Sequence, residues 1–200
     1  MPIDTSILNV GEYYSSHYLE STFTSDIKNQ IAAWKEEGSN ATPRKLKALS
    51  GFYFQTKNRA MAFRKPEGRW RQGEELSQWH GKLLDTLGYQ ERVPLDVPVE
   101  GDKSVVPVLG LIERYNAPWL VLCETPFCLP DANLRDGDPS ETPLALEPLE
   151  QQLLDQNQQL CAGAWEKAIG RIFTLESSPR WAMLFSGSQI ILFDRNTFAQ

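Results

Sequence analysis

The sequence predicts an α/β (α+β) chain in which a mixed sheet is flanked by helices and preceded by a helical extension. Three observations predict it. Leu76, Trp79, Leu83, Leu84 and Leu87 form one apolar helical stripe; three extended runs follow between residues 92 and 124; and a second striped segment leads into two short apolar runs, 181–185 and 189–193. Helix, three strands, helix and two strands is the order of a sheet covered on its faces. A chain of 200 residues can bury a core of ordinary size, enough for one domain with an extension.

The elements follow in order. Residues 1–72 read as a helical, basic extension and residues 73–200 as the α/β domain. Ile27, Ile31 and Trp34 share one helical face, and Gly38-Ser-Asn closes that helix. Thr42-Pro43 caps a second helix expected to run to Tyr53. From Gln55 to Gly73 no period is visible, and Pro66-Glu-Gly68 marks a turn. The striped helix spans Glu74–Leu87 and stops at Gly88. Strands are expected over Arg92–Val99, Val105–Arg114 and Trp119–Glu124, with Tyr115-Asn-Ala-Pro118 joining the last two. An acidic, proline-rich loop runs from Thr125 to about Pro148, and a long helix is expected from there to about Glu176. Trp181–Phe185 and Gln189–Phe193 read as a hairpin through Ser186-Gly-Ser188.

Charge is distributed unevenly. The net charge is −6, but between Pro43 and Arg71 nine basic residues accompany a single acid, Glu67, leaving 11 basic against 25 acidic residues elsewhere. A strip of +8 therefore rides on a body of −14, and such a strip attracts a polyanion locally that the whole molecule repels. The residues expected to meet the phosphates of double-stranded DNA are Arg44, Lys45, Lys47, Arg59, Arg64, Lys65, Arg69 and Arg71. Phe52, Tyr53, Phe54, Phe63 and Trp70 lie among them, where they either stack on bases or pack in a core. Three cysteines, Cys123, Cys128 and Cys161, make no disulfide framework and fit a reducing compartment. The amino terminus lacks the pattern of a secretory signal and no apolar run is long enough to span a bilayer, so the expected location is cytoplasmic, with no membrane partner.

The order α-β-β-β-α-β, with Glu124 ending Trp119-Leu-Val-Leu-Cys-Glu, resembles the restriction-endonuclease-like arrangement of PD-(D/E)XK nucleases. In that family a carboxylate near the second strand and an Asp/Glu-x-Lys on the third hold Mg²⁺, which lowers the pKa of a bound water. Glu113 or Asp102 is the candidate upstream ligand and Glu124 the downstream one, so Glu113 and Glu124 are the catalytic and metal residues if the chain is a nuclease. The lysine position is Pro126, which has neither charge nor donor; a displaced lysine such as Lys103 would have to serve. The expectation is a nuclease-like scaffold without cleavage activity. His17 and His80 read as satisfied structural histidines, and the cysteines lack the second ligand pair of a zinc site.

Five phrases together resemble the amino-terminal region of the large adenine-specific DNA methyltransferases of type IIG-like restriction-modification and DISARM-like phage-defence systems. They are Val10-Gly-Glu-Tyr-Tyr-Ser-Ser-His-Tyr-Leu19, Trp79-His-Gly-Lys-Leu-Leu-Asp-Thr-Leu-Gly-Tyr89, Val106-Pro-Val-Leu-Gly110, Pro118-Trp-Leu-Val-Leu-Cys-Glu124 and Arg180-Trp-Ala-Met-Leu-Phe-Ser-Gly-Ser-Gln-Ile-Ile-Leu-Phe-Asp-Arg195. The resemblance implies that methyl transfer belongs to a downstream domain with an Asn-Pro-Pro-Tyr motif and a glycine-rich loop for S-adenosylmethionine; this segment has neither motif and is expected to have no cofactor of its own. It also implies a chain cut at its carboxy-terminal end, and as partners DNA, the downstream methyltransferase domain or other defence-system proteins. The function expected is a non-catalytic, DNA-contacting or positioning module. The alternatives are a Mg²⁺-dependent endonuclease module and a protein-interaction module without DNA contact.

Overall fold

The computed structural model describes residues 14–62, 69–89, 95–98, 104–127, 159–160 and 164–198. The chain divides into two compact units, Met1–Leu49 and Ser50–Gln200. The helix that follows Leu49 belongs to the second unit, where it packs on the striped helix.

In the first unit a π-helical turn, Tyr18–Thr22, leads through α1 (Phe23–Asp26) into α2 (Lys28–Glu37). The Tyr18 hydroxyl donates to Asp26 at 3.0 Å, tying the turn to α1. Gly38 ends α2 at φ +60, a conformation glycine adopts without steric cost. Pro43 lies in the first turn of α3 (Thr42–Ala48), where its missing N–H is no loss.

The helix expected to run from Thr42 to Tyr53 is broken at Leu49, and a new one, α4 (Ser50–Ala62), covers much of the segment that shows no period. Tertiary packing supplies what periodicity does not. Thr56 and Ala60 are buried, Tyr53 is half-buried, and Phe52 and Tyr53 lie 6.3 and 5.1 Å from the ring of Trp79. Trp79 belongs to α5 (Arg69–Leu87), which begins five residues before the expected Glu74. Its buried residues Leu76, Trp79, His80 and Leu84 recur at helical spacing, so the face read from the apolar pattern is the face that packs.

The strands form two sheets. β1 (Leu95–Pro98), β2 (Ser104–Val108) and the short β5 (Gln159–Leu160) make one, in the order β1-β2-β5. β3 (Gly110–Arg114), β4 (Ala117–Glu124), β6 (Trp181–Phe185) and β7 (Ile190–Asp194) make the other, in the order β3-β4-β6-β7. The single strand expected over Val105–Arg114 is thus divided at Leu109, its halves joining different sheets. β2 pairs in parallel with β5 at Ser104 and Val105, ahead of Pro107, which has no N–H to offer.

The long helix expected from residue 148 is corrected at Gln159–Leu160, which are extended and paired with Ser104–Val105; helix α6 begins only at Trp165 and runs to Phe173. Trp165, Ala168, Ile169 and Ile172 form one fully buried stripe against Val121, Cys123, Ala182 and Leu184. On the opposite sheet face Leu84 packs with Leu109, Leu120, Leu122 and Phe185. The expected class is therefore present: an α/β layering with α5 and α6 on opposite faces of a mixed sheet, and a short helix α7 (Arg195–Phe198) after β7. No helix among the described residues is long and apolar enough to cross a membrane.

Candidate functional site

Alternation along β4 decides where its terminal carboxylate points. Val121 and Cys123 face α6, Leu120 and Leu122 face α5, and Glu124 continues the second series. Ser77 and His80, three residues apart on α5, meet it. The Ser77 hydroxyl donates to Oε1 of Glu124 at 2.7 Å, and Nδ1 of His80 lies 3.0 Å from Oε2. The backbone N–H of Gly187 donates to Nε2 of His80 at 3.0 Å. Nε2 is therefore the unprotonated nitrogen and the ring proton sits on Nδ1, from which it is donated to Glu124.

The side chains of Ser77, His80 and Glu124 each have a partner in this cluster. Glu124 and His80 are inaccessible to solvent, and the indole of Trp165 donates to the backbone carbonyl of Glu124 at 3.0 Å. The indole of Trp79 donates to the carbonyl of Gly187 at 3.2 Å, so α5 holds both sides of the turn between β6 and β7. Gly187 is required there twice over. Its φ is +79, and a Cβ would stand 2.5 Å from the Phe127 ring. A carboxylate buried without partners would cost several kcal/mol, about what two charge-assisted hydrogen bonds recover, so the cluster works as a lock between helix and sheet. Its histidine is not a free base, because both ring nitrogens are engaged. That agrees with the structural role expected of His80.

The expected pairing of Glu113 with Glu124 around one ion is not realised. Glu113 is exposed and pairs with Pro118, six residues and roughly 20 Å along β4 from Glu124. No carboxylate stands on β2, whose residues are Ser-Val-Val-Pro-Val. No group of three or more metal-ligating side chains occurs among the described residues, and both oxygens of Glu124 already accept hydrogen bonds. Among the described residues, Glu124 therefore has no second carboxylate beside it with which to share a Mg²⁺ ion. Pro126 is half-buried; Asp102 and Lys103 lie outside the described residues. Burial, and secondarily the charge of Glu124, pushes the Cys123 thiol far above its ordinary range, which makes it an inert core side chain. Cys128 and Cys161 lie outside the described residues.

The cationic strip is divided by the unit boundary. Arg44, Lys45 and Lys47 are exposed on α3, a helix with no acid of its own. Arg59 is exposed on α4 but pairs with Glu75 of α5 at 3.3 Å, so a partner from outside the strip compensates part of its charge. Lys57 is half-buried. Arg69 and Arg71 belong to the first turn of α5, their side chains outside the described set, as are Arg64 and Lys65 altogether. Among the aromatics, Phe52 and Tyr53 pack on Trp79, Phe52 also carrying Lys82 at 3.7 Å above its ring, whereas Phe54 remains exposed. Phe63 lies outside the described residues and the side chain of Trp70 outside the described set.

Sequence reasoning did not find Ser77, and it placed Gly187 in a hairpin turn without its hydrogen bond to His80. The available signals were Ser77 three residues before His80 on one helix, and a glycine inside the short Ser-Gly-Ser turn. No family model matches this chain, and neither a curated protein nor a solved structure is significantly similar to it.

Proposed function

We propose that this chain is a non-catalytic module that contacts duplex DNA and positions an adenine-specific methyltransferase, built on a nuclease-like scaffold. The observation that carries the non-catalytic half is the enclosure of Glu124. The carboxylate at the end of β4, where a metal-dependent nuclease of this order holds its ion, accepts from Ser77 and His80 and has no acid beside it on β2. Pro126 replaces the ammonium group that would orient a water. Support for DNA contact comes from electrostatics: α3 presents Arg44, Lys45 and Lys47 to solvent without an intervening acid, on a chain whose net charge is −6.

Binding of a fluorescent duplex, followed against salt, tests this reading. The logarithm of affinity is expected to fall steeply with the logarithm of salt, and replacing Arg44, Lys45 and Lys47 by alanine is expected to reduce the slope by roughly three, about one per lost phosphate contact. No binding at about 50 mM salt, or an unchanged slope, refutes DNA contact. Nicking of supercoiled plasmid with Mg²⁺ that disappears in Glu124→Ala refutes the non-catalytic half. The methyltransferase association is tested by the reading frame beyond Gln200, where an Asn-Pro-Pro-Tyr segment is expected.

A further inference from the structure

Arginines are gathered at the end of the four-stranded sheet remote from Glu124. Arg114 closes β3, Arg180 precedes β6 and Arg195 follows β7, and the registers of Arg114 with Ala117, Leu120 with Trp181 and Trp181 with Asp194 set these strand termini at one end. Two carboxylates accompany them. Asp194 is held by Arg180 at 2.7 Å, and Glu113 shares the sheet face of Leu111, whereas Arg114 shares that of Ile112. Arg114 and Arg195 have no acid partner among the described residues, so this end keeps a local excess of positive charge on a chain of −6.

Aromatic rings lie among these cations. The Arg114 guanidinium stands 3.6 Å above the ring of Trp119 and that of Arg180 5.1 Å from the ring of Trp181, and both tryptophans pack beside Leu120 and Leu122 on the α5 face. A guanidinium held on an indole keeps its charge and its edge donors, and it loses less rotamer freedom when two oxygens of a phosphate arrive. Tyr115, next to Arg114, is fully exposed at φ +54. Nothing in the fold repays that strain, because the whole ring is open to solvent.

We propose that this end of the sheet binds single-stranded DNA, with Tyr115 stacked on an unpaired base and Arg114 on the adjacent phosphate. Arg195, three strand spacings or about 14 Å across the sheet, takes a phosphate farther along the strand. The pairing of an open aromatic ring with acid-free guanidiniums selects this ligand. Bases inside a duplex offer their faces only to one another, so Tyr115 has nothing to stack on there. An acidic peptide satisfies the arginines but leaves the ring without a flat partner. The site belongs to the second unit and α3 to the first, so it does not rest on the duplex contact proposed above.

Fluorescence anisotropy of a labelled oligothymidylate of about 15 nucleotides, titrated with the full chain at about 50 mM salt, tests this. Tyr115→Gly is expected to weaken binding about tenfold while raising the melting temperature, because it removes the stacking ring and the left-handed strain together. Tyr115→Phe is expected to keep the affinity. Arg114→Ala is expected to reduce the slope of log affinity against log salt by about 0.7, the share of one phosphate contact on a single strand. In a chain whose Arg44, Lys45 and Lys47 are alanine, the tenfold loss at Tyr115→Gly is expected to persist, and the duplex titration of that same chain judges the α3 contact separately. No binding of the oligonucleotide, a Tyr115→Gly chain that binds as tightly as the unaltered one, or polyglutamate displacing the probe as well as unlabelled oligothymidylate does overturns the proposal.

Discussion

The two ends of the four-stranded sheet are built on opposite principles. At the Glu124 end, Ser77, His80, Trp79 and Trp165 close on the carboxylate and on the Gly187 turn. At the other end the β3–β4 hairpin turns through Tyr115 and Asn116, both at positive φ, with the Tyr115 side chain fully exposed. Such a turn prefers Asn-Gly, and a bulky aromatic there is strained without packing in return. Trp119 stands opposite the register shift of β4 and carries the Arg114 guanidinium 3.6 Å above its ring. The end that carries the buried carboxylate is thus occupied by the protein's own groups, whereas the strained turn faces solvent.

Substitutions should separate the ends. Glu124→Ala is expected to cost about 3–5 kcal/mol in urea unfolding, since it removes the acceptor of two buried donors, and His80→Ala about 3 kcal/mol because it orphans Glu124 and the Gly187 N–H. Gly187→Ala should lose about 2–3 kcal/mol, combining left-handed strain with the contact on Phe127. At the far end, Tyr115→Gly should stabilise the fold by about 0.5–1 kcal/mol, and Arg114→Ala should cost no more than about 1 kcal/mol. Equal costs at the two ends would erase the distinction.

The smallest expected effect concerns the thiol beside Glu124. Burial raises the Cys123 pKa above its ordinary 9.0, so the unfolded chain releases this proton first as pH rises. The stabilisation it contributes is full below about pH 9 and is lost progressively above it. Replacing Cys123 by alanine should flatten that alkaline decline, and in a Cys128→Ser, Cys161→Ser background an aromatic disulfide reagent should label Cys123 at the rate of unfolding.

Much of this architecture is written in local pattern. The stripes of α5 and α6, the type II′-like hairpin at Gly187 and the alternation along β4 are each visible because burial of one face imposes a period on the residues. α4 is not visible, because two of its buried positions are the small side chains Thr56 and Ala60, which give only a weak apolar signal. Gln159–Leu160 mimic a helical stripe, and only the distant Ser104–Val105 ladder draws them into a strand.

The sequence by itself determined the layered class, the positions of the carboxylates and cations along the chain, and the absence of lysine at position 126. Only the tertiary structure decided that Glu113 and Glu124 lie at opposite ends of a hairpin, that Glu124 is enclosed by Ser77 and His80, and that Arg59 answers to Glu75. The physical reason is one of range. Periodicity records which face of an element is dry, whereas hydrogen bonds and ion pairs depend on register between elements as far as 108 residues apart, as Trp79 and Gly187 are.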